Sequence, residues 1–484
     1  MNIHIDRLPL ICVSGHWRHG QGEAILTLVN PATAQAFAQY QAAGDDDIAQ
    51  ALQASQLAFE EWRQRTALER SDILRRAAAL LRQKSNEIAL VLTREEGKPL
   101  LEARRELEQA AQMIEWNAEE GRRVAGENLP TRMPNTRYAT LREPIGPVAA
   151  FTPWNFPVML SAMKISAALA AGCSVILKPA EETPVSAAEL VRCFLEAGVP
   201  GGTVQMLVGE PALISQRLIA SEIIRKVSFT GSTHVGRLLA EQAGKALKPI
   251  TLELGGHAPV VVCEDADPKA VVGTLSQIKL RNSGQICANP SRFYVHRRHY
   301  EAFIDAFSAV AKETVVGPGE EVGTTMGPLA NQRRQKAVQA LVDDALSQGA
   351  RLVCGGQACD SKGGTAGYFY QPTVLADVPE NAAVMRQEPF GPLVPIVPFD
   401  TLEEAMTMAN ALPVGLAAFV FTHDMRQARR LSEGLRAGAV GINCITLMQP
   451  ETPFGGVLES GFGRENGRES LDAFLVTRSV VTAC

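Results

Sequence analysis

PVAAF (147–151), SVIL (174–177), VQMLV (204–208), KVSF (226–229) and ITLEL (250–254) are short apolar runs separated by stretches of helical period such as 184–197 and 232–246. Strand, helix, strand at this spacing predicts a parallel sheet covered by helices on both faces. Such a sheet binds its ligands beyond the carboxyl ends of its strands, so the residues following each run are the first candidates for a site.

Reading onward, a second α/β block has apolar runs near 259–262, 292–295, 393–397, 417–421 and 439–443, again with helical patterns between them. The glycine-rich stretch 355–368 reads as an exposed loop. Before the alternation the chain is helical from Asp46, with Ile48, Leu52, Phe59 and Trp62 on one face. A second helix begins at Thr66, whose spacing to Glu69 is that of a capping box, and a third runs from about Ser85 to a Gly-Lys-Pro stop at Gly97. Residues 122–143 have little helical period and end in the alternating Arg137-Tyr138-Ala139-Thr140-Leu141, which predicts a projecting strand pair.

The 484 residues suffice for two or three domains, and 46% hydrophobic with 20% charged residues is ordinary for a globular chain. A formal charge of −5 and the lack of a basic run argue against a nucleic-acid or anionic-membrane partner. Nine cysteines, at 12, 173, 193, 263, 287, 354, 359, 444 and 484, form no CxxC pair and favour reduced thiols in a cytoplasmic setting over a disulfide framework or a zinc site. The start, MNIHIDRLPLICVSGHW, has neither a basic leader nor a sustained apolar segment, so no signal peptide is expected, and no window reaches the ~20 apolar residues of a membrane span.

Candidate chemistry clusters at the strand ends. Leu252-Glu253-Leu254-Gly255-Gly256 opens a segment that closes with Gly284-Gln285-Ile286-Cys287, so an acid and a thiol bracket it. A cysteine nucleophile divides a difficult acyl reaction into two steps, and the second needs a base for water, which Glu253 could supply. The first strand ends in Thr152-Pro153-Trp154-Asn155-Phe156-Pro157. Asn155 is either a turn residue or an amide donor to an oxyanion. Lys178 and Glu181 follow the second strand, either as an exposed ion pair or as groups facing a ligand, where a carboxylate suits ribose hydroxyls and repels a 2′-phosphate. Phe229-Thr230-Gly231-Ser232-Thr233 opens a helix whose N–H groups suit a pyrophosphate, although Ser232 also reads as a simple N-cap and no GxGxxG is present. Gln387-Glu388-Pro389-Phe390-Gly391-Pro392, Pro453-Phe454-Gly455-Gly456 and Ser460-Gly461-Phe462-Gly463-Arg464-Glu465 read in isolation as turns. His234 and His257 lie in no metal-ligand spacing and are taken as structural, and no metal is expected.

TPWNFP, LKPAEETP, FTGST, LELGG, GQIC, EPFGP and PFGG with SGFGRE, in this order and spacing, resemble the aldehyde dehydrogenase superfamily from about residue 20 to 480. The resemblance implies a Rossmann-like cofactor domain (1–121 and 144–254), a second α/β catalytic domain (255–443) and a small β oligomerisation element (122–143 and 465–484). It implies that Cys287 attacks an aldehyde, that Asn155 and the Cys287 N–H hold the oxyanion, that Glu253 activates the hydrolytic water and that Lys164 and Glu465 relay protons. For the cofactor it implies contacts from Thr152, Pro153, Trp154 and Leu254, with Lys178 and Glu181 at the adenosine ribose, Gly231 and Ser232 at the pyrophosphate and Glu388 with Phe390 at the nicotinamide side. Glu181 favours NAD over NADP. Phe156, Leu160, Met163 and Phe454 are expected to line the access tunnel.

Arg281 resembles the arginine by which the succinate-semialdehyde dehydrogenase branch reads a distal carboxylate. The chain departs from that branch at Met163, where the branch has a second arginine, and at Met448-Gln449-Pro450, where it has a serine. The expected reaction is NAD-dependent oxidation of a semialdehyde or other small aldehyde through a Cys287 thioester. An inactive scaffold on the same fold and acyl transfer to coenzyme A are the alternatives. The strand pair at 122–143 and the apolar tail 474–481 are expected to join between subunits of a dimer or tetramer.

Overall fold

In the computed structural model, which describes residues 7–361, 364 and 366–483, the five runs become five adjacent, buried, parallel strands. Outside the described residues lie the first six residues of the N-terminal stretch, Cys484 at the end of the tail, and positions 362, 363 and 365 of the glycine-rich loop. The first sheet runs Gly461–Phe462, Ile250–Glu253, Lys226–Thr230, Val148–Phe151, Val175–Lys178, Val204–Met206, Ile11–Val13, His16–Arg18. From Val148–Phe151 the chain adds two strands on one side, then crosses back to add Lys226–Thr230 and Ile250–Glu253 on the other. The switch in direction therefore falls beside Val148–Phe151, where loops diverge and leave a crevice.

Helix Pro157–Ala171 lies behind this sheet and is buried along its whole length, as its lack of a polar face requires. Proline opens it, and Gly172, at φ 100°, closes it. The N-terminal helices are Asp45–Trp62, Ala67–Gln83 and Ser85–Glu96, and the expected capping box of Thr66 and Glu69 is formed. A fourth helix, Leu100–Gly121, was not visible in the sequence pattern, because Glu102, Glu106, Asn117 and Glu120 interrupt its buried stripe.

The second sheet has the order Arg351–Cys354, Thr373–Ala376, Leu393–Phe399, Pro290–His296, Ala258–Val262, Ala417–Phe421, Ala439–Ile442, and all but the first strand are parallel. After it the chain returns to the first sheet, where Gly461–Phe462 pairs with Ile250–Glu253 and brings Glu465 alongside.

In 122–143 only Asn128–Leu129 is a complete strand, while Thr136–Pro144 runs on past its end and takes the tail Leu475–Ala483 along nine residues. The pairing expected between subunits is thus made within the chain, because the tail returns antiparallel to the strand. Among the described residues no strand pairs with the outer edge of Leu475–Ala483, where Val476 and Val481 are exposed. Among the described residues no helix is long and apolar enough to cross a membrane.

Candidate active site

Cys287 is delivered by an unusual loop. After helix Pro268–Lys279, Asn282 (φ 49°), Ser283 (φ 54°) and Gly284 (φ 77°) all take left-handed conformations. A side chain at Gly284 would place its Cβ 2.2 Å from the Gly391 carbonyl oxygen, so only glycine fits. The strain is held by hydrogen bonds: the Asn282 N–H donates to Glu102 Oε2 (2.8 Å), Ser283 Oγ to the Gly327 carbonyl (2.8 Å), and the Ala330 N–H to Gln285 Oε1 (2.9 Å).

The thiol is partly exposed between two spaces. Outside it is a cavity of about 240 Å³, and behind it a chamber of about 10 Å³ shared with Glu253, Met163, Phe454 and Glu465. Burial, then the negative charges of Glu388 and Glu253, push the thiol up to about 12. At neutral pH Cys287 therefore keeps its proton.

Asn155 donates from Nδ2 to the Gln285 carbonyl at 3.0 Å, two residues before the thiol, and its second N–H remains for another acceptor. Its backbone carbonyl accepts from Lys98 Nζ (2.7 Å) and Asn282 Nδ2 (3.0 Å). Lys98 is paired to Glu106 at 2.6 Å, and the other Glu106 oxygen accepts from the Val158 and Met159 N–H groups at the start of helix Pro157–Ala171. Lys98 and Glu106 thus fix the turn that carries Asn155. Neither carried a sequence signal: Lys98 lies in the stop between two helices, and Glu106 lies on the helix that the pattern hid.

Glu253 is 4% exposed, and among the described residues neither of its carboxyl oxygens has a hydrogen-bond partner. Burial, then the charge of Glu465, raise it well above the usual carboxylate range, against the pull of Lys164 and Arg464. Lys164 is paired to Glu465, and Ser228 Oγ touches both, 3.1 Å from Nζ and 3.3 Å from Oε1. Lys226, absent from the sequence reading, extends this buried line: it donates to Thr251 Oγ1 at 2.6 Å and is pushed down to about 8, mainly by burial.

Thr152, Lys178, Gly231 with Ser232, and Leu254 follow four neighbouring strands and so rim one crevice. Lys178 is paired to Glu181. Ser232 caps helix Thr233–Lys245, accepting from the Val235 N–H at 3.3 Å, so the N-cap reading describes its side chain here. Trp154, after Pro153, stands edge-on to Phe390 with ring centres 5.4 Å apart. Glu388 Oε1 is buried without a partner, and burial pushes the carboxyl up to about 8. A Cβ at Gly255 would lie 2.7 Å from Glu388 Oε2, so the glycine leaves room for that carboxyl at the crevice floor. A helix N-terminus, a strand-end ion pair and an unpartnered buried carboxyl on one rim fit a dinucleotide.

Phe156, Leu160 and Arg281 line the outer cavity, and Leu160 reaches the inner chamber as well. Met163 and Phe454 line the inner chamber, beside Leu160 and Cys287. Arg105 and Gln109, from the unforeseen helix Leu100–Gly121, line the outer cavity as well. His257 is buried between Ser291 Oγ (2.8 Å) and the Val384 carbonyl (3.1 Å), while His234 is exposed.

A doubly wound crevice beside a cysteine, with an amide and a carboxyl close by, defines a dinucleotide-dependent oxidoreductase with a thiol at its centre. Residues 17–480 match the aldehyde dehydrogenase family, and the chain belongs to it: it is an oxidoreductase acting on aldehydes, of a family that uses NAD(P). It is 49% identical over 478 residues to the 4-(hydroxymethyl)benzenesulfonate dehydrogenase TsaD1 of Comamonas testosteroni, covering 99% of each. It is 39% identical over 464 residues to the NADP(+) succinate-semialdehyde dehydrogenase GabD of Escherichia coli, covering 96% of this chain and 95% of the other. A crystal structure of succinate-semialdehyde dehydrogenase from Burkholderia pseudomallei superposes with a TM-score of 0.95 at 42% identity, covering 98% of each chain.

Proposed function

We propose that the protein oxidises an aldehyde bearing a distal anionic group to its carboxylic acid, with Cys287 as nucleophile and hydrolysis of the resulting thioester. The observation that carries the reading is that Cys287 and the unpartnered carboxyl of Glu253 line the same inner chamber. Cys287 loses its proton to solvent through the outer cavity as its sulfur bonds to the carbonyl carbon and the C=O π pair moves to oxygen, and the second N–H of Asn155 and the Cys287 N–H hold the resulting alkoxide. Trp154, Lys178, Glu181, Gly231, Ser232, Glu388 and Phe390, with Thr152, Pro153 and Leu254, would hold the dinucleotide. Bound there, its nicotinamide supplies a hydride acceptor. Glu253 then takes a proton from water, the hydroxide attacks the thioester, and the Cys287 sulfur leaves. The Lys164–Glu465 pair and Ser228 give that proton a buried path away.

Glu181 supports NAD as the preferred cofactor, since a carboxylate repels a 2′-phosphate. Arg281 in the tunnel supports an anionic substrate, as do relatives named for a benzenesulfonate and for succinate semialdehyde. Glu253 favours hydrolysis over transfer to coenzyme A. The division into a cofactor domain (1–121, 144–254), a catalytic domain (255–443) and an assembly element (122–143, 465–484) follows the two sheets and the tail strand. The exposed outer edge of Leu475–Ala483 supports a homodimer or homotetramer, and the free thiols of the described cysteines support a cytoplasmic setting.

The test is a Cys287→Ser variant assayed by rapid mixing with NAD and aldehyde. The reading expects loss of both the NADH burst and steady turnover. Turnover at the wild-type rate, or product formation that requires coenzyme A, would overturn it.

A further inference from the structure

Two arginines line the cavity outside Cys287, and neither is ion-paired among the described residues. Arg281 donates from Nη2 to Gln109 Oε1 at 3.1 Å and lies 5.4 Å from the centre of the Phe156 ring, and its buried Nε has no partner. Arg105, one helical turn before Gln109, is exposed at the mouth and makes no hydrogen bond among the described residues. Glu102 is the nearest acid to act on both, but it is committed to the Asn282 N–H and does not line the cavity. Apart from the arginines, the thiol, Gln109, Gln277 and Thr446, the side chains lining the cavity are apolar, among them Phe156, Ile286, Phe419, Leu447 and Met448.

Unpaired guanidinium groups are donors waiting for an anion, and a site at the mouth leaves that anion partly hydrated, which lowers the cost of binding it. The wide apolar stretch inside would be left poorly filled by a short alkyl chain, whereas a flat ring contacts opposite walls at once. We propose that Arg105 acts with Arg281 as a specificity subsite for an oxyanion, sulfonate or carboxylate, carried para on an aromatic aldehyde. This deepens the anionic-aldehyde reading above and rests on it. It places at Arg105 the second cation that the sequence lacks at Met163.

The experiment compares kcat/KM for 4-formylbenzenesulfonate, 4-formylbenzoate, succinate semialdehyde and benzaldehyde in the wild-type protein and in Arg105→Met. Benzenesulfonate and benzoate binding to each is measured calorimetrically as a readout independent of turnover. Loss of one partly solvated charge contact should lower the ratio of anionic to neutral arylaldehyde kcat/KM about tenfold, through KM, and weaken anion binding similarly. Added salt should lower the same ratio in the wild type and act less on the variant. The relative size of the loss for the two anions shows whether sulfonate or carboxylate is the better fit. An unchanged ratio with unchanged anion binding overturns the subsite. If the wild type turns over benzaldehyde with no preference for its charged analogues, the anionic reading falls as well. If it prefers only succinate semialdehyde, that reading stands and the aromatic subsite falls.

Discussion

Asn155→Ala removes the side-chain amide without touching the backbone carbonyl that Lys98 and Asn282 grip, so its structural and chemical effects can be separated. The bond lost is that from Nδ2 to the Gln285 carbonyl at 3.0 Å, and that carbonyl keeps Asn282 Nδ2 at 3.3 Å. Asn155 Oδ1 has no partner to lose. The stability cost is therefore one hydrogen bond, about 1 kcal/mol, and in a chain of this length that moves Tm by only roughly 1–2 °C. The chemical cost is larger, because a fixed donor to an alkoxide contributes roughly 3 kcal/mol, or on the order of 10²–10³ in kcat. KM for the aldehyde should barely move, since the amide acts on the charge that develops and not on the resting carbonyl. Initial rates of NADH formation, with thermal unfolding in parallel, measure both. A kcat within about threefold of wild type in a protein with unshifted Tm would show that Asn155 only braces the Gln285 carbonyl.

Glu253→Gln should leave the NADH burst and suppress the steady state, with an acyl adduct on Cys287 visible by mass spectrometry after acid quenching; a steady state equal to wild type would remove Glu253 as the base. Glu253 must be ionised to act, so turnover should rise as pH climbs through its elevated pKa. Glu465→Gln removes a like charge while Lys164 remains, so the rise should move to lower pH, and an alkaline shift would contradict the assignment. With the thiol pushed up to about 12, only about 10⁻⁴ of Cys287 is thiolate at pH 8, so iodoacetamide should label exposed Cys444 first in the protein alone; peptide mapping that finds Cys287 labelled first would refute this. Glu181→Ala should raise the ratio of NADP to NAD kcat/KM by roughly fivefold through lost repulsion, and a fixed ratio would put cofactor choice elsewhere. Light scattering should show a dimer or tetramer that Val476→Asp with Val481→Asp shifts toward monomer; a wild-type monomer at micromolar concentration would count against assembly along this edge.

The parts legible in the sequence were those in which neighbouring residues share one physical task. The five runs of the first sheet are largely apolar because the sheet is covered on both faces, so the runs themselves could be read directly, while their order in the sheet emerges only from the fold. The short strands Ile11–Val13 and His16–Arg18 have too few residues to show a period. Helix Leu100–Gly121 failed to show because its buried face carries carboxylates that serve other elements: Glu102 holds the Asn282 N–H and Glu106 caps helix Pro157–Ala171. Arg105 looked like any solvated charge until the fold turned it toward the cavity of Cys287. The proximity of Glu465 to Lys164 depends on the return of the chain to the first sheet, a long-range pairing with no local signal.

The buried carboxyls separate by how they are held. Glu95 accepts from the Val185 and Ser186 N–H groups, and Glu106 from Lys98 and two helix-start N–H groups, so each has a complete set of partners from the chain itself. A buried acid satisfied in this way braces the structure, and removing it would leave its donors orphaned. Glu253 differs: among the described residues it alone has both oxygens buried and unpartnered, while Glu96, Glu380, Glu388 and Glu465 each leave one oxygen so. Holding a carboxyl dry and unbonded costs stability, a cost that folding alone does not offset. A water in the chamber shared with Cys287 would partner Glu253, and a ligand in the crevice would partner Glu388. Burial raises both acids, as it does the fully bonded Glu95, and at Glu253 the charge of Glu465 adds to it, which makes the ionised carboxyl a stronger base toward water. Glu253, the acid with both oxygens unpartnered among the described residues, is thus the one that the proposed hydrolysis completes.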